Sequence, residues 1–300
     1  MILVTGGTGT TGRLVAAGLA TTGHPVRVAS RRASAGDVRF DWYDPDTHLA
    51  AVDGVTGMYL VPPVGEVDPA PVMLPLLERA RARGVRRAVL LGSSAVETGT
   101  PGVGEVQARL GDLFPGWAVL RPSWFMENFV GDHPHAVSAR ERGEIISATG
   151  DGRVGFVDPA DIAGVAVRAL TDPTPHDTEH VITGPERLSY ADIAAILTDT
   201  GGRPVRHRAV SAAELTAYHE ANGLPSDFAR FLASLDGAIA AGAEDRTTST
   251  VADVTGRAPR SFRDFCRDRL PGGAPAHRPD PTHSGRRGRH DSRHTTDHAG

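Results

Sequence analysis

The residues best suited to chemistry stand near the N-terminus. Thr5-Gly6-Gly7-Thr8-Gly9-Thr10-Thr11-Gly12 follows the apolar run Ile2-Leu3-Val4 and opens a segment of helical spacing. A glycine-rich turn between strand and helix is a dinucleotide fingerprint. In the spacing GxxGxxG, Gly6 permits the tight turn, Gly9 lets backbone approach a pyrophosphate, and Gly12 allows helix and strand to pack closely. The unspent N–H groups of the first helical turn, with Thr8, Thr10 and Thr11 beside them, then meet the phosphates. An NAD-preferring site carries a carboxylate about 20 residues further on for the ribose 2′-OH. Here the chain reads Ser30-Arg31-Arg32. No carboxylate is present, and two guanidiniums can grip a 2′-phosphate, which favours NADP(H) over NAD(H). The bland alternative is a solvated basic turn. Asp41 is expected at the adenine edge. Val61-Pro62-Pro63 and Gly92-Ser93 are expected to line the cofactor.

The usual catalytic set of a carbonyl-reducing dehydrogenase is a Ser, a Tyr and a Lys, the Tyr acting as proton donor. Ser94 stands at a suitable strand end. Tyrosines occur only at 43, 59, 190 and 218, and all 32 basic residues are Arg, with no Lys. This excludes the Tyr-Lys mechanism, Schiff-base chemistry and a P-loop lysine. What remains near the nicotinamide is Pro122-Ser123-Trp124-Phe125-Met126-Glu127-Asn128-Phe129. Trp124, Met126 and Phe129 form either a wall for a flat substrate or ordinary core. Ser94, Glu105 and Trp124 are the catalytic candidates, with Gln107, Glu127 and His133 as further proton-transfer candidates. Glu105 also reads as a solvated first-turn carboxylate.

These residues need a scaffold of strand ends. Apolar runs at 1–5, 25–30, 57–61, 87–91 and 118–121, with Phe40 on another strand, alternate with helical patterns at 13–20, 72–83 and 105–113. Such alternation gives right-handed βαβ units and a parallel sheet. Segments 155–157, 160–170 and 180–183 read as a return to the sheet, and 189–270 is mostly helical. Asp158 or Asp161 is expected to cap a helix. Ser189-Tyr190-Ala191-Asp192 and, more closely, Ser211-Ala212-Ala213-Glu214 have the form of capping boxes. The expected organisation is a dinucleotide-binding domain over 1–130 with a sheet return at about 153–184. A substrate lid follows over 131–152 and 185–270, then a His- and Arg-rich disordered tail over 271–300. The tail histidines 277, 283, 290, 294 and 298 read as solvated filler rather than a metal site.

The whole-chain numbers restrict the alternatives. Three hundred residues can bury a sizeable core, and 40% apolar with 23% charged residues is ordinary for a globular protein. The net charge of −4 argues against coating nucleic acid. No apolar run has membrane-spanning length and no secretory leader is read, so a cytoplasmic monomer or homodimer is expected. One cysteine, Cys266, excludes an internal disulfide. Its neighbouring arginines would lower its pKa were it exposed; a half-buried structural thiol is the default.

The glycine loop resembles that of the NmrA-like atypical short-chain dehydrogenases/reductases, in particular the subgroup named for ergot-alkaloid biosynthesis. So do Phe40-Asp41-Trp42, Tyr59-Leu60-Val61-Pro62-Pro63, the stretch from Leu120 to Phe129, Ala148-Thr149-Gly150-Asp151-Gly152, Phe156-Val157-Asp158 and the run from Gly256 to Phe262. The resemblance implies a Rossmann-type doubly wound α/β sheet with a small helical C-terminal lid and NAD(P) binding without Tyr-Lys catalysis. Glu105 is a departure, since many relatives carry a His near there. The expected function is NADP(H)-dependent reduction of a small planar conjugated substrate, as in secondary-metabolite tailoring. A non-catalytic redox sensor and a cofactor-assisted oxygenase of aromatic polyketides are the alternatives.

Overall fold

The computed structural model describes residues 1–34 and 36–270; the tail expected over 271–300 lies outside them. The strands are β1 Ile2–Val4, β2 Val26–Ser30, β3 Val38–Arg39, β4 Gly57–Leu60, β5 Arg87–Leu91, β6 Gly116–Pro122, β7 Glu144–Ser147, β8 Arg153–Val154, β9 Thr178–Ile182, β10 Leu188–Ser189 and β11 Arg206–Ala209. The helices are α1 Gly12–Thr21, α2 His48–Val52, α3 Ala70–Ala82, α4 Val103–Leu113, α5 Pro134–Arg142, α6 Pro159–Thr171, α7 Tyr190–Gly201, α8 Ala212–Ala221, α9 Ser226–Ala240, α10 Thr250–Thr255 and α11 Phe262–Arg269.

The strands of the main sheet carry apolar residues on both faces, because helices cover both. Leu3, Met58, Leu60, Ala88, Leu90 and Val119 point to one side, against α3 and α4. Ile2, Val4, Tyr59, Val89, Ala118 and Leu120 point to the other, against α1, α6 and α10. The seven strands run in the order β3-β2-β1-β4-β5-β6-β9, all parallel. The order reverses direction at β1, so a crevice opens beyond the carboxyl ends of β1 and β4, where such sheets hold ligands.

The return to the sheet is narrower than the sequence pattern indicates. Only β9 joins it; β8 pairs antiparallel with β10, and β7 pairs with β11. Val157 makes a single parallel bridge to Phe125. The lid has its own core, built on Phe129, Phe156, Tyr190, Ile193, Phe262 and Phe265. Its helices start where their caps say. Ser189 with Asp192 and Ser211 with Glu214 both form complete capping boxes. Asp158 Oδ1 accepts the Ala160 N–H at 2.8 Å and caps α6, while Asp161 accepts the Arg260 N–H at 2.8 Å and so ties the C-terminal segment to α6. Among the described residues, no helix is long and apolar enough to cross a membrane.

Candidate functional site

The glycine loop closes on itself. Gly6 has φ +59°, which favours glycine, and its carbonyl accepts the Gly9 N–H at 2.8 Å. A Cβ on Gly12 would overlap that carbonyl, so α1 can begin here only with glycine. The side chain of Thr11, at the N-cap, does not cap the helix. Its Oγ1 instead accepts from the Tyr59 hydroxyl at 3.0 Å, so the side chain leaves the helix start open to an anion; of the first-turn N–H groups, that of Arg13 is taken by the Gly9 carbonyl at 3.2 Å. Burial raises the Tyr59 pKa, so its phenol stays a donor in this contact. Thr5 Oγ1 accepts the Val61 N–H at 2.8 Å, and the Trp42 indole donates to the Val61 carbonyl at 3.0 Å. These bonds hold the ends of β1 and β4 and the turn after β3 as three walls of one groove.

The groove has a volume of about 470 Å³ and is lined by Gly6, Thr8, Gly9, Thr10 and Thr11 on one side. Ser30, Arg31, Asp41, Val61, Pro62 and Pro63 line the rest, with Leu91 and Phe125 at the inner end. Thr8, Ser30, Arg31 and Arg32 line a second hollow beside it. Ser30 Oγ donates to the Arg32 carbonyl at 2.8 Å, which fixes the turn that carries both guanidiniums. An overlapped Cβ at Gly12, an open helix start and two exposed arginines at one end form a cradle suited to a dinucleotide with a phosphate on its ribose.

Not every sequence candidate reaches a cavity. Gly92 and Ser93 end β5 without lining the groove; the Gln107 side chain fills the space beside Gly92, and Ser93 Oγ accepts the Ala95 N–H. Ser94 is buried, and its Oγ donates at 2.8 Å to Glu244, a buried carboxylate on the turn after α9. With its proton committed there, Ser94 cannot also donate to a substrate. Ser123 contacts the same oxygen at 3.4 Å, and Arg246 pairs with the other at 3.2 Å. Sequence reasoning missed Glu244, which lies 150 positions from Ser94. Glu105 is exposed on α4 and lines neither cavity. Glu127 is ion-paired with Arg269. Met126 and Phe129 are buried in the lid core, so they support the fold rather than wall a pocket. Cys266 is fully buried there too, and burial pushes its thiol up to about 12 despite the nearby arginines.

Trp124 does reach a cavity. With Asn128 it lines a hollow of about 580 Å³ between the end of β6 and helices α5, α8 and α9. Its lining mixes the apolar Leu215, Leu224, Leu232 and Leu235 with the polar His133, His135, Tyr190, His219 and Asp236. Burial lowers the pKa of His133 and His219, and takes His135 to about 3 with help from neighbouring imidazoles. These rings are therefore neutral at pH 7. His133 Nδ1 accepts the His135 N–H at 3.2 Å and caps α5. Burial pushes the Asp236 carboxyl up to about 6, partly offset by the Ala148 N–H donated to it at 2.8 Å. Trp124 and Phe125 are consecutive, one facing the lid cavity and the other the groove.

A βαβ sheet with a glycine cradle, and a second cavity lined by the residue next to one that lines the cradle's groove, fits the nucleotide-dependent oxidoreductases, and the comparisons agree. No family model matches the chain. It is 46% identical over 268 residues to an uncharacterised oxidoreductase, YesF, of Bacillus subtilis, covering 88% of this chain and 93% of that one. It is 43% identical over 282 residues to agroclavine dehydrogenase of Claviceps fusiformis, covering 89% and 96%. The NADPH-dependent quinone oxidoreductase QOR2 of Escherichia coli, crystallised with NADPH, shares the fold with a TM-score of 0.76 at 23% identity, covering 89% and 99%. The chain belongs to the NmrA-like, atypical short-chain dehydrogenase/reductase family of NAD(P)-binding oxidoreductases.

Proposed function

We propose that this chain is an NADP(H)-dependent reductase of a small planar conjugated substrate, a quinone, iminium or enone, of the kind met in secondary-metabolite tailoring. The observation that carries the reading is that Phe125 lines a groove shaped for a dinucleotide while its neighbour Trp124 lines an amphipathic cavity. Bound NADPH supplies a hydride at its nicotinamide. The protein holds it in place: the Gly6–Gly12 loop and the N-terminus of α1 take the pyrophosphate, and Arg31 and Arg32 take the 2′-phosphate. Asp41 and the Val61–Pro63 backbone line the walls. Trp124 offers a flat face to the acceptor. The chain has no Lys and the Ser94 hydroxyl donates its hydrogen bond to Glu244, which suits an acceptor that is already activated, as quinones and iminium ions are.

The names of the relatives support this reading, one being an agroclavine dehydrogenase and another an NADPH-dependent quinone oxidoreductase. A pure sensor has no need of a lid cavity of about 580 Å³. The test is loss of the 340 nm absorbance of NADPH with a panel of quinones, cyclic imines and enones. Tight NADPH binding with no turnover across the panel overturns the reading, and so does oxygen uptake without matching NADPH loss.

A further inference from the structure

The lid cavity carries more recognition chemistry than hydride transfer requires. We propose that its polar end recognises a hydroxyl group on the aromatic substrate, Asp236 accepting that hydroxyl's hydrogen bond and the Tyr190 hydroxyl donating to its oxygen. The inference rests on the reductase reading for its substrate class, hydroxylated quinones, and on the cavity alone for the recognition itself.

Asp236 projects from α9, and only one of its oxygens is engaged by a protein donor, the Ala148 N–H at 2.8 Å. The other is left to accept from whatever fills the cavity. Tyr190 opens α7, is 1% exposed, and lines the same cavity. Burial and the nearby Asp236 charge keep its phenol protonated, and among the described residues no hydrogen bond offsets that burial. Its oxygen is not sealed off among the described residues and reaches the cavity, so one ligand atom can meet both groups. A hydroxyl both donates and accepts at one atom. A ketone only accepts and an ammonium only donates, so either leaves one of the two unserved.

The surroundings favour a neutral ligand. The imidazoles of His133, His135 and His219 are uncharged at pH 7, and the guanidinium of Arg142 is engaged with the Tyr218 hydroxyl at 2.7 Å. Among the described residues Arg142 is the one cation lining the cavity, and Asp132, Glu141 and Asp236 line it as well, so a carboxylate gains little there. The four leucines that line the same cavity suit an aromatic ring. In turnover, a hydride from NADPH and one proton from solvent would reduce the quinone to the hydroquinone. The recognised hydroxyl is unchanged by that step.

Naphthol and its methyl ether differ by one O–H donor and are not reduced. Calorimetry on the full chain should show naphthol binding at least about tenfold tighter, as expected where buried polar groups are built to meet a hydroxyl. Asp236→Asn keeps the Ala148 contact through its amide oxygen but turns a donor to the cavity. Tyr190→Phe removes only the hydroxyl. Each should bring the ratio towards one while the ether's Kd changes less than about twofold. Equal binding of the two ligands by the native protein overturns the proposal, as does a preference that survives both substitutions, or an equal loss for both ligands. A hydroxynaphthoquinone should likewise be turned over in preference to its methyl ether. A naphthol preference with no turnover of any quinone would sink the reductase reading and still support the hydroxyl site.

Discussion

Asp236 lends itself to a quantitative test of stability against pH. Its carboxyl is displaced from an ordinary 3.8 to about 6 by burial against α7 and α8. The folded protein thus holds this proton more tightly than the unfolded chain does. The contribution to stability is fully present below about pH 4 and is lost as pH rises through about 6. A displacement of that size corresponds to about 3 kcal/mol between the two protonation states. Residual solvent access at the cavity mouth reduces this to roughly 1–3 kcal/mol. Burial lowers the pKa of the three cavity histidines and raises that of Tyr190; these groups, and Asp132, Glu141 and Arg142 in the same lining, are common to both proteins and cancel in the comparison. Asp236→Asn has the same shape, keeps the Ala148 N–H satisfied and never ionises. Urea unfolding should show the variant more stable than the native protein by about 1–3 kcal/mol at pH 8, with the gain shrinking to near zero at pH 4. A stability difference that is the same at both pH values, or that favours the native chain at pH 8, would refute the reasoning.

Other outcomes follow from the site. Replacing Arg31 and Arg32 with Ala should weaken NADPH binding by roughly 10- to 100-fold, from the loss of charge-assisted bonds of about 1.5–3 kcal/mol, and NADH binding by less than about threefold. Equal losses in fluorescence titrations would remove the 2′-phosphate role. Gly12→Ala should destabilise the fold by about 1–3 kcal/mol and abolish nucleotide-induced thermal stabilisation, because its Cβ meets the Gly6 carbonyl. An undisturbed melting temperature that still rises with NADPH counts against it. Cys266, with its thiol pushed up to about 12 by burial, should not react with a thiol reagent at pH 8 until the protein is unfolded in urea, when one thiol per chain appears.

Much of this protein is local, and local patterns are legible. The glycine spacing, the Ser30-Arg31-Arg32 turn and the runs that form β1, β4 and β5 depend on neighbours within a few residues, so sequence alone indicates a parallel α/β sheet and where a dinucleotide would lie. The capping boxes at Ser189 and Ser211 are legible for the same reason. The absence of Lys is a property of composition that no fold can alter. The strand read at 155–157 was displaced, since β8 takes its partner from β10 in the lid, and pairing partners lie outside any local window.

Side-chain direction was decided by tertiary structure. Trp124, Met126 and Phe129 look alike as an apolar stretch, yet only Trp124 faces a cavity, because the turn after β6 buries the other two against α7 and α11. Ser94 stands at a strand end suited to a donor, but Glu244, brought across from the lid, accepts its hydrogen bond. Asp236, Tyr190, His133, His135 and His219 carry no common signal along the chain. They converge because the lid helices must bury their apolar faces together, and that packing depends on complementary surfaces rather than on spacing.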